Sequence, residues 1–182
     1  MIYSLNLENA LLIVGVLLVL CHLPALFAEA AIKRWLLGFP RSGNIGSVLF
    51  TLAAAWFMGL VAYTDLGEFT SMRRNFLLAT TAGYILGLRY MREFLAVRSL
   101  GMLALLAAEP LLEAAWMRPE LSRLWLVSLV FVWIVGGLFC IGMPYLLRDA
   151  ITWLNASQWR WKAAACMGVG YGILLLGVRF TL

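Results

Sequence analysis

Two glutamates inside the otherwise apolar segment LLAAEPLLEAAW are the side chains in this chain best suited to chemistry. Glu109 and Glu113 are four residues apart, so on a helix their carboxyls lie on one face, one turn apart. An acid near the middle of a bilayer costs about 2.5–3.5 kcal/mol on insertion scales, so it is either functional or neutralised by its surroundings. The pair is therefore a candidate proton or cation site within a membrane.

Three arrangements would offset the cost of burying Glu109. The carboxyl can be protonated, because desolvation disfavours its charged form. It can pair with a base or a hydroxyl on another helix, or it can line a wet cavity. Pro110 follows directly, and because proline has no N–H, the carbonyl of Leu106 loses its helical partner. We therefore expect a kink and a small polar pocket beside the acid.

Depth along the helices suggests a partner for this acid. Glu109 lies eleven residues beyond Arg98, which places it about 16 Å into the membrane at the helical rise, near the midplane. On the preceding helix, the position eleven residues before Arg92 lies at the same depth as Glu109. A hydroxyl at that level is expected to form a hydrogen bond with the carboxyl. The hydroxyls at that level are those of Thr80, Thr81 and Tyr84.

Two interpretations of the acid remain open at this stage. In the functional one, Glu109 binds a proton or cation, Glu113 opens outward and His22 passes the proton inward. In the structural one, a neutral, hydrogen-bonded Glu109 fixes the packing of a kinked helix. His22 lies only about 9 Å deep at the helical rise, too shallow for direct contact, which favours a satisfied polar group.

The elements that must position these groups are membrane-spanning helices. The chain of 182 residues is 64% hydrophobic and 13% charged, with mean hydropathy +0.92, whereas soluble domains are about a quarter charged. A span needs about 20 mostly apolar residues. The composition and apolar runs predict an all-α, polytopic integral membrane protein, a single transmembrane domain of six spans. The spans are residues 10–28, 45–63, 76–92, 97–116, 124–147 and 163–177.

The basic residues predict how the spans are oriented. Nine of the fourteen Lys and Arg residues fall in the loops after spans one, three and five, and five fall on the other side. Because cytoplasmic loops are enriched in bases, this predicts a cytoplasmic-membrane protein with both termini outside. Aromatic and basic residues mix in AEAAIKRWLLGFPRSGN and ITWLNASQWRWK, which is typical of short helices lying in the headgroup layer.

The letters GVGYG near the carboxyl terminus differ by one from the potassium-channel filter TVGYG. A filter needs a long lining helix after it, and only ten residues follow Gly172. Small residues four apart instead predict close helix packing, on a sister span or on a partner chain. The small residues expected at such interfaces are Ala164, Gly168, Gly172, Gly136 and Gly137.

The segment SGNIG, residues 42–46, resembles the first signature of the bacterial membrane glycerol-phosphate acyltransferases. The resemblance covers five residues. The other signatures of that family, a Gly-Gly-Lys-Gly loop with a histidine and an Asn-rich end motif, have no counterpart in the sequence, so it does not assign the family. Ser42 or Asn44 is instead expected to cap the second span.

Two classes of function follow from these observations. Metal-ligand clusters, a Ser-His pair near a carboxylate and nucleotide-binding glycines are missing from the sequence, so we expect no enzyme, no metal and no cofactor. The bases lie in short loops between spans, which favours membrane lipid over nucleic acid as their partner. The chain is expected to be a structural or accessory subunit of a membrane complex with protein partners. The alternative is a small proton or cation transporter or channel that uses Glu109.

Overall fold

The computed structural model describes Tyr3 and residues 5–180, and all regular secondary structure in that part of the chain is helical. Five of its α-helices are long and apolar enough to cross a membrane, by length and composition. In chain order the α-helices are α1 (Leu7–Phe27), α2 (Glu29–Gly38), α3 (Gly43–Tyr63), α4 (Arg73–Tyr90), α5 (Leu95–Ala115), α6 (Arg123–Gly142), α7 (Tyr145–Asn155) and α8 (Gln158–Arg179). The five candidate spans are α1, α3, α5, α6 and α8.

Two predicted spans differ from the observed helices. The third, residues 76–92, corresponds to α4, which forms a helix but does not reach the apolarity of the five. Arginines at both its ends and two threonines in its middle dilute its hydropathy. The fifth, residues 124–147, corresponds to two helices: α6 ends at Gly142, and α7 begins at Tyr145, directly after Pro144, which has no N–H to continue α6.

The first and last helices of the chain pack antiparallel and very closely. A Cβ added to Gly172 would lie 2.9 Å from the carbonyl oxygen of Gly15, and one added to Gly15 would lie 3.0 Å from the carbonyl oxygen of Gly172. Further along, the indole of Trp161 donates a hydrogen bond of 2.9 Å to the carbonyl of Ala25. The two backbones therefore meet at a glycine crossing, as small residues permit in lipid.

A second glycine crossing joins α5 to α6. A Cβ on Gly101 would lie 2.6 Å from the carbonyl oxygen of Gly137, so only glycine fits there. In the half of the bundle that holds the amino terminus of α1, both helix pairs share one buried apolar cluster. Its largest fully buried members are Leu11, Val14, Leu126, Val130 and Leu175.

Helices α3 and α5 run parallel. The beginning of α3 meets the beginning of α5, where a Cβ on Gly46 would lie 2.7 Å from the amide nitrogen of Ala96. The buried hydroxyl of Ser99 donates to Leu95 at 2.7 Å and lies 3.4 Å from the carbonyl of Gly46. Two consecutive parallel helices require the intervening chain to return along the bundle.

Helix α4 provides that return, antiparallel to α3. At its start Arg73 donates to the carbonyl of Thr64, at 2.7 Å, just past the end of α3. Near its end Gly87 lies against the ring of Phe50, close to the beginning of α3. From residue 50 to residue 64 is about 21 Å at the helical rise, so α4 follows most of the length of α3.

The amphipathic helices α2 and α7 contact each other at one end of the bundle. This basic end comprises α2, the turn at residues 39–41, the α4–α5 connection at residues 91–94, and α7. There the ammonium of Lys33 lies 5.2 Å from the ring centre of Trp161 and forms a 2.6 Å ion pair with Glu29. That ion pair holds the pKa of the Glu29 carboxyl below its ordinary value.

Two single residues at the basic end define where α3 and α5 begin. The hydroxyl of Ser42 accepts from the amide of Ile45 at 3.4 Å and caps α3, as the sequence predicts. Phe94 adopts a left-handed backbone conformation, with φ +56°, immediately before α5. A non-glycine residue in that region costs about 1–2 kcal/mol. This backbone conformation turns the chain sharply enough for a four-residue connection to join α4 to α5.

Candidate functional site

Glu109 and Glu113 line one groove at the end of the bundle opposite the basic end. Its volume is about 750 Å³, and we call it the glutamate groove. It lies where α3 and α5 end and α6 begins. Besides Glu109 and Glu113, its walls include Thr64, Arg123 and Phe131. The sequence prediction that the two carboxyls share one face is consistent with this placement.

Glu109 lies nearer to the end of its helix than the sequence suggests. It is six residues, about 9 Å, from the end of α5 at Ala115 and about 6 Å beyond the middle of the helix. The difference arises because α5 begins at Leu95, so Arg98 is already in its first turn. The carboxyl is exposed at the protein surface, while Glu113 is half-buried.

The hydroxyls expected to bond Glu109 bond elsewhere. Thr80 donates to the carbonyl of Phe76, and Thr81 to that of Leu77, each at 2.8 Å. The hydroxyl of Tyr84 lies 2.9 Å from that of Thr51 on α3. The predicted hydrogen bond is therefore absent among the described residues, because α4 packs on α3 and not beside the acidic face of α5.

Arg123 is the residue of this groove that the sequence argument missed. It begins α6 and lines the groove with both acids, yet its guanidinium donates to the carbonyl of Ala115 at 3.2 Å. Within Tyr3 and residues 5–180, neither Glu109 nor Glu113 forms an ion pair within 4 Å. The sequence did contain an indication of this placement. Only seven residues separate the end of α5 from Arg123, so the start of the next helix lies close to the end of α5.

His22 lies in a different part of the molecule. Its Nδ1 is 2.8 Å from the carbonyl oxygen of Leu18, and because a carbonyl only accepts, Nδ1 carries the hydrogen. Its ring packs against Gly168 of α8 and lines a groove with Trp161 near the basic end. The structure therefore does not bring His22 to the glutamate groove, which removes the geometric basis for a relay between them.

The contact between His22 and Gly168 gives a test of this packing. A Cβ on Gly168 would overlap the imidazole ring, so we expect Gly168→Ala to destabilise the protein by about 1–3 kcal/mol, as overpacking does. Removing the imidazole in the double variant His22→Ala/Gly168→Ala should recover part of that loss of stability. Thermal unfolding of both variants in detergent measures this, and a double variant no more stable than Gly168→Ala would contradict it.

The other small residues divide into packed and open positions. Gly168 and Gly172 face α1, with Ala164 half-buried in the same groove as His22. Gly137 faces α5, whereas a Cβ on Gly136 would meet nothing within 4 Å. The glycine face of α8 thus packs on a sister helix, and GVGYG is part of one continuous helix. Of the glycines predicted at interfaces, Gly136 alone lies open.

The part of the chain that the structure describes contains no group of three or more His, Cys, Asp or Glu residues arranged to hold a metal ion. Its cysteines Cys21, Cys140 and Cys166 are free thiols. A scan against protein-family models finds no match, and searches of curated proteins and of solved structures find none either.

Proposed function

We propose that this protein is a non-catalytic subunit of a larger membrane assembly and that a partner chain covers the glutamate groove. The observation that carries the proposal is the exposed carboxyl of Glu109, about 9 Å from the end of an apolar helix. An acid facing hydrocarbon at such a depth is costly. A basic or hydroxyl side chain from another protein would offset that cost.

The chain's own groups support an external partner. Arg123, the base in the groove wall, bonds a backbone carbonyl, and the three α4 hydroxyls that were predicted to reach Glu109 bond their own helix or α3. The packed glycines are used within the chain, so the interface lies elsewhere. Phe131 of α6 lines the groove. The exposed side chains of Val132 and Val135 extend the apolar surface of α6 toward Gly136.

Crosslinking at matched positions tests the assembly. A photoreactive residue replaces Phe131 in the groove, and in the control it replaces Ile13 on α1. The two native side chains are 56% and 53% exposed, and both positions lie within about two turns of the same end. We expect a heavier crosslinked product from position 131 alone, and equal products from both positions would contradict the proposal.

The charge of Glu109 provides the second arm of that experiment. Hydrogen bonds to charged groups contribute about 1.5–3 kcal/mol, so Glu109→Gln should weaken the association at least about tenfold. Glu68→Gln, an exposed acid outside the groove, should leave it unchanged. Crosslinking yield at position 131 in intact membranes is the measurement. An unchanged yield in Glu109→Gln would show that the acid does not hold the partner.

A proton or cation site is the second candidate, favoured by the placement of both carboxyls in one groove. Liposomes that contain the pure protein and a pH-sensitive dye distinguish it from the first. Proton leakage that Glu109→Gln abolishes would support transport and count against a purely structural role. Equal rates in protein-containing and empty liposomes would count against transport.

We also propose that α4 completes six crossings and that the basic end faces the cytoplasm. The parallel arrangement of α3 and α5 supports this, because α4 must return the chain between them. Both termini of the bundle then lie outside the cytoplasmic membrane. Nine of the fourteen Lys and Arg residues lie in or beside the three connections at the basic end and five lie at the opposite end, which supports the orientation.

A further inference from the structure

Three arginines from distant parts of the chain meet at the basic end. Arg41 ends the short turn after α2, Arg92 lies in the α4–α5 connection, and Arg148 is in the first turn of α7. All three line one cavity of about 410 Å³, which we call the arginine cavity. Phe94, in its left-handed conformation, forms part of the wall, and its ring centre lies 6.0 Å from the guanidinium of Arg148.

The charge of this cavity is not balanced from within. Glu93 also lines it, yet among the described residues the salt bridges are Lys33–Glu29 and Arg148–Asp149, so Glu93 pairs with none of the three arginines. Arg148 pairs with exposed Asp149 at 2.7 Å. Arg41 and Arg92 are exposed and form no hydrogen bond within the described part of the chain. Two guanidiniums are thus available to an anion.

A groove leads from the cavity along the bundle. Arg92 lines both the cavity and a groove of about 710 Å³ between α3 and α4. Val48, Leu52 and Leu88 contribute an apolar strip to the wall of this α3–α4 groove, whose other lining residues include Ser47, Thr51 and Tyr84. The groove extends to Tyr84, six residues or about 9 Å back from the end of α4 at Tyr90, so it passes from the basic end into the apolar zone of the bundle.

We propose that the arginine cavity binds the phosphate of an anionic phospholipid, whose acyl chain lies in the α3–α4 groove. Guanidinium groups recognise phosphate oxygens by paired hydrogen bonds, and basic pockets between membrane helices bind anionic headgroups. The apolar wall beyond Arg92 complements a hydrocarbon chain, which a free phosphate lacks. This proposal does not depend on a partner chain at the glutamate groove, which lies at the opposite end.

Lipid binding to the purified full chain tests the proposal. Native mass spectrometry in mild detergent compares phosphatidylglycerol with phosphatidylcholine, and inorganic phosphate forms a third arm. We expect phosphatidylglycerol to bind more tightly than phosphatidylcholine. Arg92→Gln and Arg41→Gln should each weaken it at least about tenfold, the loss expected when one hydrogen bond to a charged group is removed. Inorganic phosphate at millimolar concentration should not displace it.

Arg34→Gln is the matched control, since it removes one positive charge from the same end outside the cavity. Arg34 is exposed on α2 and lies 3.4 Å from the carbonyl of Ala30. It should retain the affinity of the unaltered protein. Equal binding of the two lipids, equal losses in Arg34→Gln and Arg92→Gln, or displacement by inorganic phosphate would each overturn the proposal.

Discussion

Gly172→Val is expected to lower the free energy of unfolding by at least about 1–3 kcal/mol, the usual cost of overpacking. The first added carbon would lie 2.9 Å from the carbonyl oxygen of Gly15 and 3.1 Å from the Cβ of Leu18. Backbone cannot rotate away as a flexible side chain can, so α1 and α8 would have to separate. Thermal or denaturant unfolding of the purified protein in detergent measures the loss.

Gly170→Val is the matched control for this substitution. It lies two residues away on the same helix, is exposed, and a Cβ there would meet nothing within 4 Å. Both substitutions place valine in α8, so both carry the same cost in helix propensity. The difference between their free energies of unfolding therefore measures the cost of overpacking at Gly172. Equal stabilities of the two variants would show that α1 and α8 do not meet at this crossing.

Impermeant labelling is expected to place residues 70 and 93 on opposite sides of the membrane. The natural cysteines are first replaced by alanine, and single cysteines are then introduced at Thr70, before α4, and at Glu93, after it; both positions are exposed. In intact cells, a charged maleimide should modify position 70 and leave position 93 unmodified until the membrane is permeabilised. The effect is all-or-none, because the bilayer excludes the reagent.

Pro119, exposed between α5 and α6, provides a control that reports which side of the membrane is labelled. A cysteine there should react with intact cells as position 70 does, because α5 would cross between residues 93 and 119. Equal labelling of positions 70 and 93 from outside would show that α4 does not cross. It would also contradict the parallel arrangement of α3 and α5, which requires a returning segment.

Much of the architecture could be predicted from the sequence because it depends on local composition. Apolar runs long enough for a bilayer gave the approximate positions of the five long helices, although the predicted fifth span, residues 124–147, ran past Pro144, before which α6 ends. Helix α4, the least apolar of the six predicted spans, was predicted as a span because of its length. Its threonines and terminal arginines lower its hydropathy, so composition alone does not establish whether it crosses.

The partner of Glu109 could not be predicted in the same way. Glu109 lies about one turn from the middle of α5, close to the predicted level, but equal depth does not imply contact. Thr80, Thr81 and Tyr84 belong to a helix that packs on α3, so their hydroxyls never reach the acidic face of α5. The prediction placed α4 beside α5 at equal depth, whereas the bundle places α3 beside α5 and α4 on α3.

By itself, the sequence determined the helical class, the apolar lengths, the separation of bases between the two ends and the presence of glycine faces. Only the tertiary structure decided which faces meet: α8 on α1, Gly101 on Gly137, and three distant arginines around one cavity. The physical reason is that lipid solvates every apolar helix face about equally well. Hydrophobicity therefore does not select a partner, and the choice depends on close steric fit between particular backbones.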